Sequence, residues 1–192
     1  GTDGAIESVY SLIREYPEKY WLSDQYNNDS NWLAHYDGTA IEIWKQTGGN
    51  VDAVISAIGT TGTLMGLSRR LKEFKPDINI IGVEPYLGHK IQGLKNMNES
   101  YRPGIFDKGR ADRIIRIDDE EAFETARMLA KKEGIFVGMS SGAAMAGALR
   151  VAQRMSEGQI VVILPDGGER YLSTNLFEDK KKSGQFVYNT LT

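Results

Sequence analysis

Residues 51–74, VDAVISAIGTTGTLMGLSRRLKEF, carry the pattern that decides the fold class of this chain. The apolar, β-branched run over residues 51–58 predicts a buried strand, and residues 64–74 predict a helix that ends before Pro76. Residues 59–63, the Gly-Thr loop, join the two. A strand, a tight loop and a helix in this order form the first half of a βαβ unit, which builds parallel sheets.

The same alternation continues on both sides of this segment. Asp118 is a predicted N-cap, and Glu121 completes a capping box with it. Because helices separate the strands, the sequence predicts an α/β fold, a doubly wound, mainly parallel, three-layer (αβα) sandwich. Further strands are predicted over residues 78–83 (stopped by Pro85), 113–117 and 159–164, and further helices over residues 4–16, 39–46, 119–132 and 141–155.

Four segments have weaker patterns. Residues 20–26 predict a short strand, and residues 27–31 predict a loop. Residues 135–139 are consistent with either a strand or a buried connection. Residues 86–112 have no regular pattern, and a stretch of that length in a compact domain is usually functional or disordered.

The composition argues against several classes of function. The chain has 192 residues, of which 41% are apolar and 26% charged, so it can form a core. Its net charge of -3 argues against a chain-wide surface for nucleic acid. No apolar run approaches the ~20 residues of a membrane helix. The chain has no cysteine and only two histidines, too few for most metal sites. We therefore expect a cytoplasmic protein with no nucleic-acid partner, no membrane partner and no metal.

Unusual residues follow the carboxyl ends of the predicted strands. In an open parallel sheet, ligands bind beyond these ends. Four segments lie there, namely the Gly-Thr loop, Glu84-Pro85, Ser140-Ser141-Gly142 and residues 165–168. Their convergence on one edge of the sheet predicts a ligand site.

The Gly-Thr loop fits a phosphate monoester better than a nucleotide. Its glycines let the backbone approach a ligand closely, and free amides at a helix start attract phosphate. The dinucleotide pattern G-x-G-x-x-G fails because two threonines follow Gly59, and the P-loop fails because no lysine follows Gly62. The alternative interpretation is an ordinary tight turn with a threonine cap. The candidate binding residues are Gly59, Thr60, Thr61, Gly62 and Thr63.

Ser140 and Asp166 are further candidates at the same edge. Residues 138–142 match the nucleophile elbow G-x-S-x-G, but both histidines precede the serine, against the order of that hydrolase family. Ser140 either caps a helix or points its hydroxyl at a ligand. Asp166 either caps the segment after it or faces a polar ligand group. The loop pair His89-Lys90 either performs acid–base work or is solvated.

Several segments match one known family in the same order. They are GTTGT at 59–63, LMGLSRR at 64–70, EP at 84–85, KIQG at 90–93, EGIFVGMSSGAA at 133–144 and GERYLST at 168–174. Together they resemble cysteine synthase (O-acetylserine sulfhydrylase), a family of pyridoxal 5′-phosphate enzymes of fold type II, with a tryptophan synthase β-subunit-like fold. Thr61 stands where many members have glycine, which resembles the B-type branch.

The resemblance implies a cofactor and a reaction. The cofactor would be pyridoxal 5′-phosphate, with its phosphate in the Gly-Thr loop, its pyridine nitrogen on the neutral hydroxyl of Ser140, and Asp166 as a further candidate contact. The parent reaction would replace the β-substituent of O-acetyl-L-serine, or a related activated serine, by sulfide to give L-cysteine. The Schiff-base lysine of the family lies upstream and has no match here, so we expect no catalytic residue and no turnover in the isolated chain.

Other functions remain as alternatives to this interpretation. Cystathionine β-synthase and threonine dehydratase are related enzymes, although the KIQG and GERYLST segments favour cysteine synthase. The alternative from another class is a non-catalytic module that binds a phosphate-bearing ligand or a partner protein.

The resemblance also implies a division of the chain. Residues 1–28 are expected to be a remnant of a smaller N-terminal domain, residues 29–179 the domain that binds the cofactor phosphate, and residues 180–192 a linker or tail. The implied partners are small-molecule substrates (an activated serine and sulfide) and a second copy of the chain in a homodimer. Residues 188–192, YNTLT, resemble the opening strand of cysteinyl-tRNA synthetases, which predicts that the reading frame continues into such a domain.

Overall fold

A parallel sheet forms the centre of the computed structural model, which describes residues 2–98 and 101–177. Each pair of neighbouring strands is parallel, and the spatial order in the described part of the chain is β3-β2-β1-β4. The strands are β1 (Ala53–Ala57), β2 (Asn79–Pro85), β3 (Arg113–Ile117) and β4 (Ile160–Val162).

Helices flank the sheet and connect its strands. The α-helices are α1 (Thr2–Glu15), α2 (Ser30–Ala34), α3 (Ala40–Gln46), α4 (Gly62–Phe74), α5 (Asp119–Met128) and α6 (Met139–Ala152). Two π-helical turns, His35–Thr39 and Leu129–Glu133, extend α2 and α5, and short 3-10 turns lie at Lys108–Arg110 and Gly168–Tyr171.

Alternate residues of the strands face two separate cores. Val54 and Ile80 pack in the core that includes α3 and α4, whereas Ile55 and Ile81 pack in the core that includes α5 and α6. Successive side chains of a strand point to opposite faces of a sheet, so one apolar run serves both cores. The predicted three-layer, doubly wound α/β architecture is confirmed.

The order of the strands positions the ligand edge. The chain builds outward from β1 through β2 to β3, crosses the other face through α5 and α6, and returns to place β4 beside β1. The connections on either side of β1 therefore run in opposite directions, and the crevice beyond the carboxyl ends of β1 and β4 is the usual ligand site in such sheets. The Gly-Thr loop follows β1, and Asp166 lies shortly after β4.

Two predicted segments near the N-terminus are wrong. Residues 20–26 form no strand, because Asp24 adopts a left-handed conformation (φ 46°) and its carbonyl accepts hydrogen bonds from the amides of Asn27 and Asn28, at 3.0 and 2.8 Å. Such a turn ends extended backbone. The loop predicted over residues 27–31 is shorter than expected, because α2 already begins at Ser30.

The second half of the fold also differs in detail. The strand predicted over residues 78–83 continues further than expected, and Pro85 belongs to β2 as its last residue, in register with Ile117. Asp118 caps α5 as predicted, accepting from the Glu121 amide at 2.9 Å. The predicted capping box is wrong, because the Glu121 carboxylate pairs instead with Arg150 on α6.

The remaining boundaries are close to those predicted. Residues 135–139 form no strand; Val137 makes one isolated antiparallel bridge with Gly167, and Val137 and Met139 are buried in the core. The strand predicted over residues 159–164 is shortened to Ile160–Val162. The tail at 180–192, with its YNTLT segment, lies outside the described residues, and the predicted boundary at residue 28 stays a prediction. Within the described residues, we find no helix long and apolar enough to cross a membrane.

Candidate functional site

The Gly-Thr loop turns sharply between β1 and α4. Thr61 has a left-handed backbone conformation (φ 73°), which is uncommon for a β-branched residue. Its side chain is buried, with 2% of the residue exposed, and its hydroxyl has no hydrogen-bond partner among the described residues. A buried hydroxyl without a partner is costly, so Thr61 is an exception among the buried polar groups of the described chain.

Two glycines allow this loop to approach neighbouring backbone and side chains. A Cβ atom at Gly59 would lie 2.6 Å from the carbonyl oxygen of Gly93, closer than real side chains approach. A Cβ atom at Gly62 would collide with the Asn31 carboxamide. The absence of a side chain at these two positions therefore permits close contact with Gly93 and Asn31.

Asn31 holds the Gly-Thr loop from the side. Its Nδ2 atom donates to the Thr60 hydroxyl at 3.1 Å and to the Gln25 carbonyl at 2.6 Å. Asn31 thereby links the loop to the turn before α2. This role of Asn31 was not predicted, because the polar run at 27–31 is typical of a loop.

A short chain of hydrogen bonds begins at Thr63, the last threonine of the loop. The Thr63 hydroxyl is 3.2 Å from Nε2 of His35, and Nδ1 of His35 is 3.0 Å from the Thr39 hydroxyl. Burial lowers the pKa of His35 below its usual value, so the ring is neutral at pH 7. A neutral ring has one donor and one acceptor nitrogen, which fixes the hydroxyls of both threonines through a single tautomer.

Ser140 reaches the same edge from the other face of the sheet. It lies in the first turn of α6 and is 5% exposed. A Cβ atom at Gly93 would lie 3.8 Å from the Ser140 hydroxyl oxygen. The carbonyl oxygen of Gly93 would lie 2.6 Å from a Cβ atom at Gly59. Gly93, which has a positive φ of 86°, therefore joins the Gly-Thr loop to Ser140. The structure brings these predicted candidates together.

Asp166 does not cap the segment that follows it. Its carboxylate accepts hydrogen bonds from the Ser140 amide at 3.1 Å, the Ser141 amide at 2.8 Å and the Tyr171 hydroxyl at 2.8 Å. Its burial alone would raise the pKa of Asp166. Hydrogen bonds from Ser141, Tyr171 and Ser140 outweigh this effect, so the pKa of Asp166 is below its usual value and the carboxylate is ionised at pH 7.

Two other candidates, Glu84 at the predicted edge and Lys90 of the loop pair, have structural roles. Glu84 is buried, pairs with Arg116 at 2.8 Å and accepts from the Met97 amide at 3.2 Å. Lys90 is exposed, and its backbone amide donates to the Asp119 carboxylate at the start of α5. Within the described chain neither residue forms a hydrogen bond with the Gly-Thr loop, and no cluster of three metal-ligating side chains occurs within 2–98 and 101–177.

The arrangement fits a phosphate group. The Gly-Thr loop presents the amides at the N-terminus of α4, a helix of 13 residues, together with three hydroxyls. Amides at a helix N-terminus and the helix dipole favour a bound anion.

Known proteins share both the sequence and this fold. A family model described as "pyridoxal-phosphate dependent enzyme" matches residues 1–166. The chain is 51% identical over 185 residues to the cysteine synthase of Aquifex aeolicus, covering 94% of this chain and 57% of that protein. It is 45% identical over 180 residues to cysteine synthase B of Escherichia coli, covering 94% of this chain and 59% of the relative.

A solved structure agrees with these relatives. The crystal structure of a cysteine synthase from Entamoeba histolytica superposes with a TM-score of 0.86 and 42% identity, over 96% of this chain and 57% of that one. The chain thus spans less than two thirds of the length of the curated relatives that it matches. From the family match and these identities, the chain belongs to the family of pyridoxal-phosphate-dependent enzymes.

Proposed function

We propose that this chain is the phosphate-binding part of a pyridoxal-phosphate-dependent cysteine synthase. The parent enzyme replaces the β-substituent of O-acetyl-L-serine, or of a related activated serine, by sulfide to form L-cysteine. The observation that carries the proposal is the convergence of the Gly-Thr loop, at the start of α4, and Ser140 at one edge of the sheet, with Gly93 between them. The relatives are cysteine synthases, which supports cysteine as the product, and the family resemblance of the motifs suggests the substrates.

The residues of this chain would hold the cofactor at two ends. Gly59, Thr60, Thr61, Gly62 and Thr63 would bind its phosphate, with Asn31 and His35 fixing the hydroxyls from behind. Ser140 would hydrogen-bond the pyridine nitrogen from the first turn of α6. When bound, pyridoxal phosphate supplies an electron sink for amino-acid chemistry, and a neutral serine partner keeps that sink moderate.

The other functions considered have less support. The relatives above are cysteine synthases, which favours that activity over cystathionine β-synthase and threonine dehydratase. A module that only binds a phosphate ligand remains chemically consistent with the Gly-Thr loop, but it leaves the buried Ser140 without a role. Thr61, where many members of the family have glycine, is in keeping with the B-type branch.

We also propose a homodimer and a cytoplasmic location. Large apolar side chains that are exposed in this chain, such as Trp21 and Leu172, support an association surface. The proposed substrates are small metabolites, which supports the cytoplasm. Sedimentation of the purified protein and fractionation of cells test these two points.

The activity is tested on the full natural gene product that contains this chain. Loaded with pyridoxal phosphate and supplied with O-acetyl-L-serine and sulfide, it should form L-cysteine detectable by mass spectrometry. Thr61→Ala should weaken cofactor retention, whereas Thr47→Ala, which removes a hydroxyl bonded to the Ile43 carbonyl on α3, should not. Absence of cysteine formation with retained cofactor would contradict the proposed reaction.

The isolated chain makes a separate prediction. We expect residues 1–192 with pyridoxal phosphate to give no stable Schiff base after borohydride reduction, because the family's lysine has no match in this sequence. A reduced adduct on Lys90 at stoichiometric yield would overturn this expectation.

A further inference from the structure

The helix that carries Ser140 has no N-cap side chain of its own. Gly138 occupies the N-cap position of α6 and offers no side-chain acceptor to the first amides of the helix. The first turn of a helix has unpaired amides that need partners. Here Asp166, 25 residues or more further along the chain, supplies them by accepting from the amides of Ser140 and Ser141.

The Asp166 carboxylate is itself held in place. The Tyr171 hydroxyl donates to its Oδ2 atom at 2.8 Å, and the Ser141 hydroxyl donates to its Oδ1 atom. The Asp166 backbone is fixed as well, because its carbonyl accepts from the Gly138 amide at 2.9 Å. Tyr171 is buried, and burial followed by the bond to Asp166 raises its pKa, so it remains a protonated donor at neutral pH.

Gly138 makes room for this arrangement. A Cβ atom at this position would collide with the Tyr171 ring and with the Asp166 carboxylate. The three residues therefore form one unit (the α6 clamp), in which a glycine, a carboxylate and a phenol meet at the first turn of α6. The clamp contacts the first turn of α6, whereas Asn31 and His35 contact the Gly-Thr loop.

We propose that Asp166 is a positioning residue that sets the direction of the Ser140 hydroxyl toward the ring of the bound cofactor. This inference rests on the proposed function, in which Ser140 contacts the pyridine nitrogen. Asp166 acts through the backbone of the first turn, because both of its oxygens already accept hydrogen bonds from α6 and Tyr171. Asp166 itself is not expected to touch the cofactor.

The first test uses the full natural gene product, freed of its cofactor. Asp166→Ala should speed amide hydrogen exchange at Ser140 and Ser141 by about fivefold to tenfold, because their acceptor is lost. Asp118→Ala is the matched control, since it removes the acceptor of the Glu121 amide on α5. It should speed exchange at the start of α5 and leave α6 unchanged. Unchanged exchange at Ser140 in Asp166→Ala would overturn the proposal.

The second test reads the ring of a cofactor analogue. The probe is 4′-deoxypyridoxine 5′-phosphate, which has the phosphate and the ring but no aldehyde. We expect Asp166→Ala to bind it within about threefold of the unaltered protein, because the Gly-Thr loop is intact. Its bound ring absorbance should shift toward that of Ser140→Ala, and Asp166→Asn, which keeps one acceptor oxygen, should be intermediate.

The outcomes separate this inference from the function on which it rests. Binding with an unchanged ring spectrum in Asp166→Ala, or an equal change in Asp118→Ala, would overturn the role of Asp166 and leave the proposed function standing. Failure of the unaltered protein to bind the analogue would overturn the proposed function, and with it any role of Asp166 toward a cofactor.

Discussion

Thr61 combines two unfavourable features at one residue. Its positive φ is disfavoured for a β-branched side chain, and its hydroxyl is buried without a partner in the described chain. Such costs persist in proteins where the surroundings impose them, most often at ligand sites. At the start of α4, a phosphate oxygen would satisfy the hydroxyl and benefit from the helix dipole.

The unfavourable features of Thr61 predict that one substitution stabilises the ligand-free chain but weakens ligand binding. Thr61→Gly should raise the free energy of unfolding of the ligand-free chain by about 1 kcal/mol, because glycine adopts a positive φ without strain. The same variant should bind a phosphate-bearing analogue more weakly, because one donor is lost. Urea unfolding and titration calorimetry measure the two effects. A variant that is less stable, or that binds equally well, would contradict this view of Thr61.

His35 predicts a pH dependence. An unfolded histidine titrates near 6.5, and burial lowers the pKa of His35 in the folded chain. Between these two pKa values the unfolded state binds more protons, so stability falls as the pH drops through about 6.5 and levels off below the folded pKa. His35→Gln should flatten this profile below about pH 6.5. Thr63→Val removes the hydrogen bond but keeps the imidazole, so this variant should retain the pH dependence of stability. Equal stability profiles for the unaltered chain and His35→Gln would show that His35 is not the source of that dependence.

At the scale of elements, α6 packs unusually close to α5. A Cβ atom at Gly142 would collide with the Ala122 carbonyl and lie 2.9 Å from the Ala126 side chain. The alanines and glycines of α6 therefore serve close helix packing, which carries Ser140 to the edge of the sheet. Glycine in a helix costs conformational entropy, and the close contact offsets that cost.

A pair of identical substitutions tests this packing. Gly142→Ala should destabilise the chain by about 1–3 kcal/mol, because the added methyl meets backbone that cannot move away. Gly4→Ala, in α1 where nothing lies within 4 Å, should stabilise it by about 0.5–1 kcal/mol. Thermal unfolding of both variants gives the comparison. Equal effects of the two changes would show that helix propensity, and not packing, governs both sites.

The elements show what a sequence can and cannot predict. The strand at residues 113–117 and the cap at Asp118 follow from local pattern, and the structure has both. The convergence of the Gly-Thr loop and Ser140 follows from the general geometry of parallel sheets. Asn31, His35 and the reach of Asp166 to α6 do not, because each acts on a residue more than 20 positions away, and no local pattern records such a contact.

The strand predicted over 20–26 failed for a local reason. Its apolar and aromatic residues are typical of a strand, but a left-handed Asp24 and its turn override that preference. The capping box failed for a tertiary reason, because Arg150 on α6 competes for the Glu121 carboxylate. A salt bridge with a neighbouring helix is invisible to a pattern read within one helix.

At the scale of the whole molecule, β4 lies at an edge of the described sheet. Its three residues, Ile160, Val161 and Val162, are only half-buried, unlike the first four residues of β1, which are buried. An apolar edge strand with free backbone groups tends to pair with another chain. The chain by itself should therefore associate.

Association predicts a concentration dependence. Sedimentation velocity of residues 1–192 should show a growing fraction of dimer or larger species with concentration, because the β4 edge and exposed apolar side chains seek cover. Val161→Lys should reduce association, as an inserted charge blocks edge pairing. A single monomer at high concentration, for both proteins, would count against this surface.

The central claim is that this chain holds the cofactor through its phosphate in the Gly-Thr loop. The most direct measurement follows backbone amide chemical shifts while 4′-deoxypyridoxine 5′-phosphate, or its form without the phosphate, is added to residues 1–192. We expect the phosphorylated compound to shift the amide signal of Ser140 and those of the Gly-Thr loop, Gly59, Thr60, Thr61, Gly62 and Thr63. The compound without phosphate should leave the amide signals of the loop unchanged. Shifts confined to other regions, or equal shifts with both compounds, would contradict it.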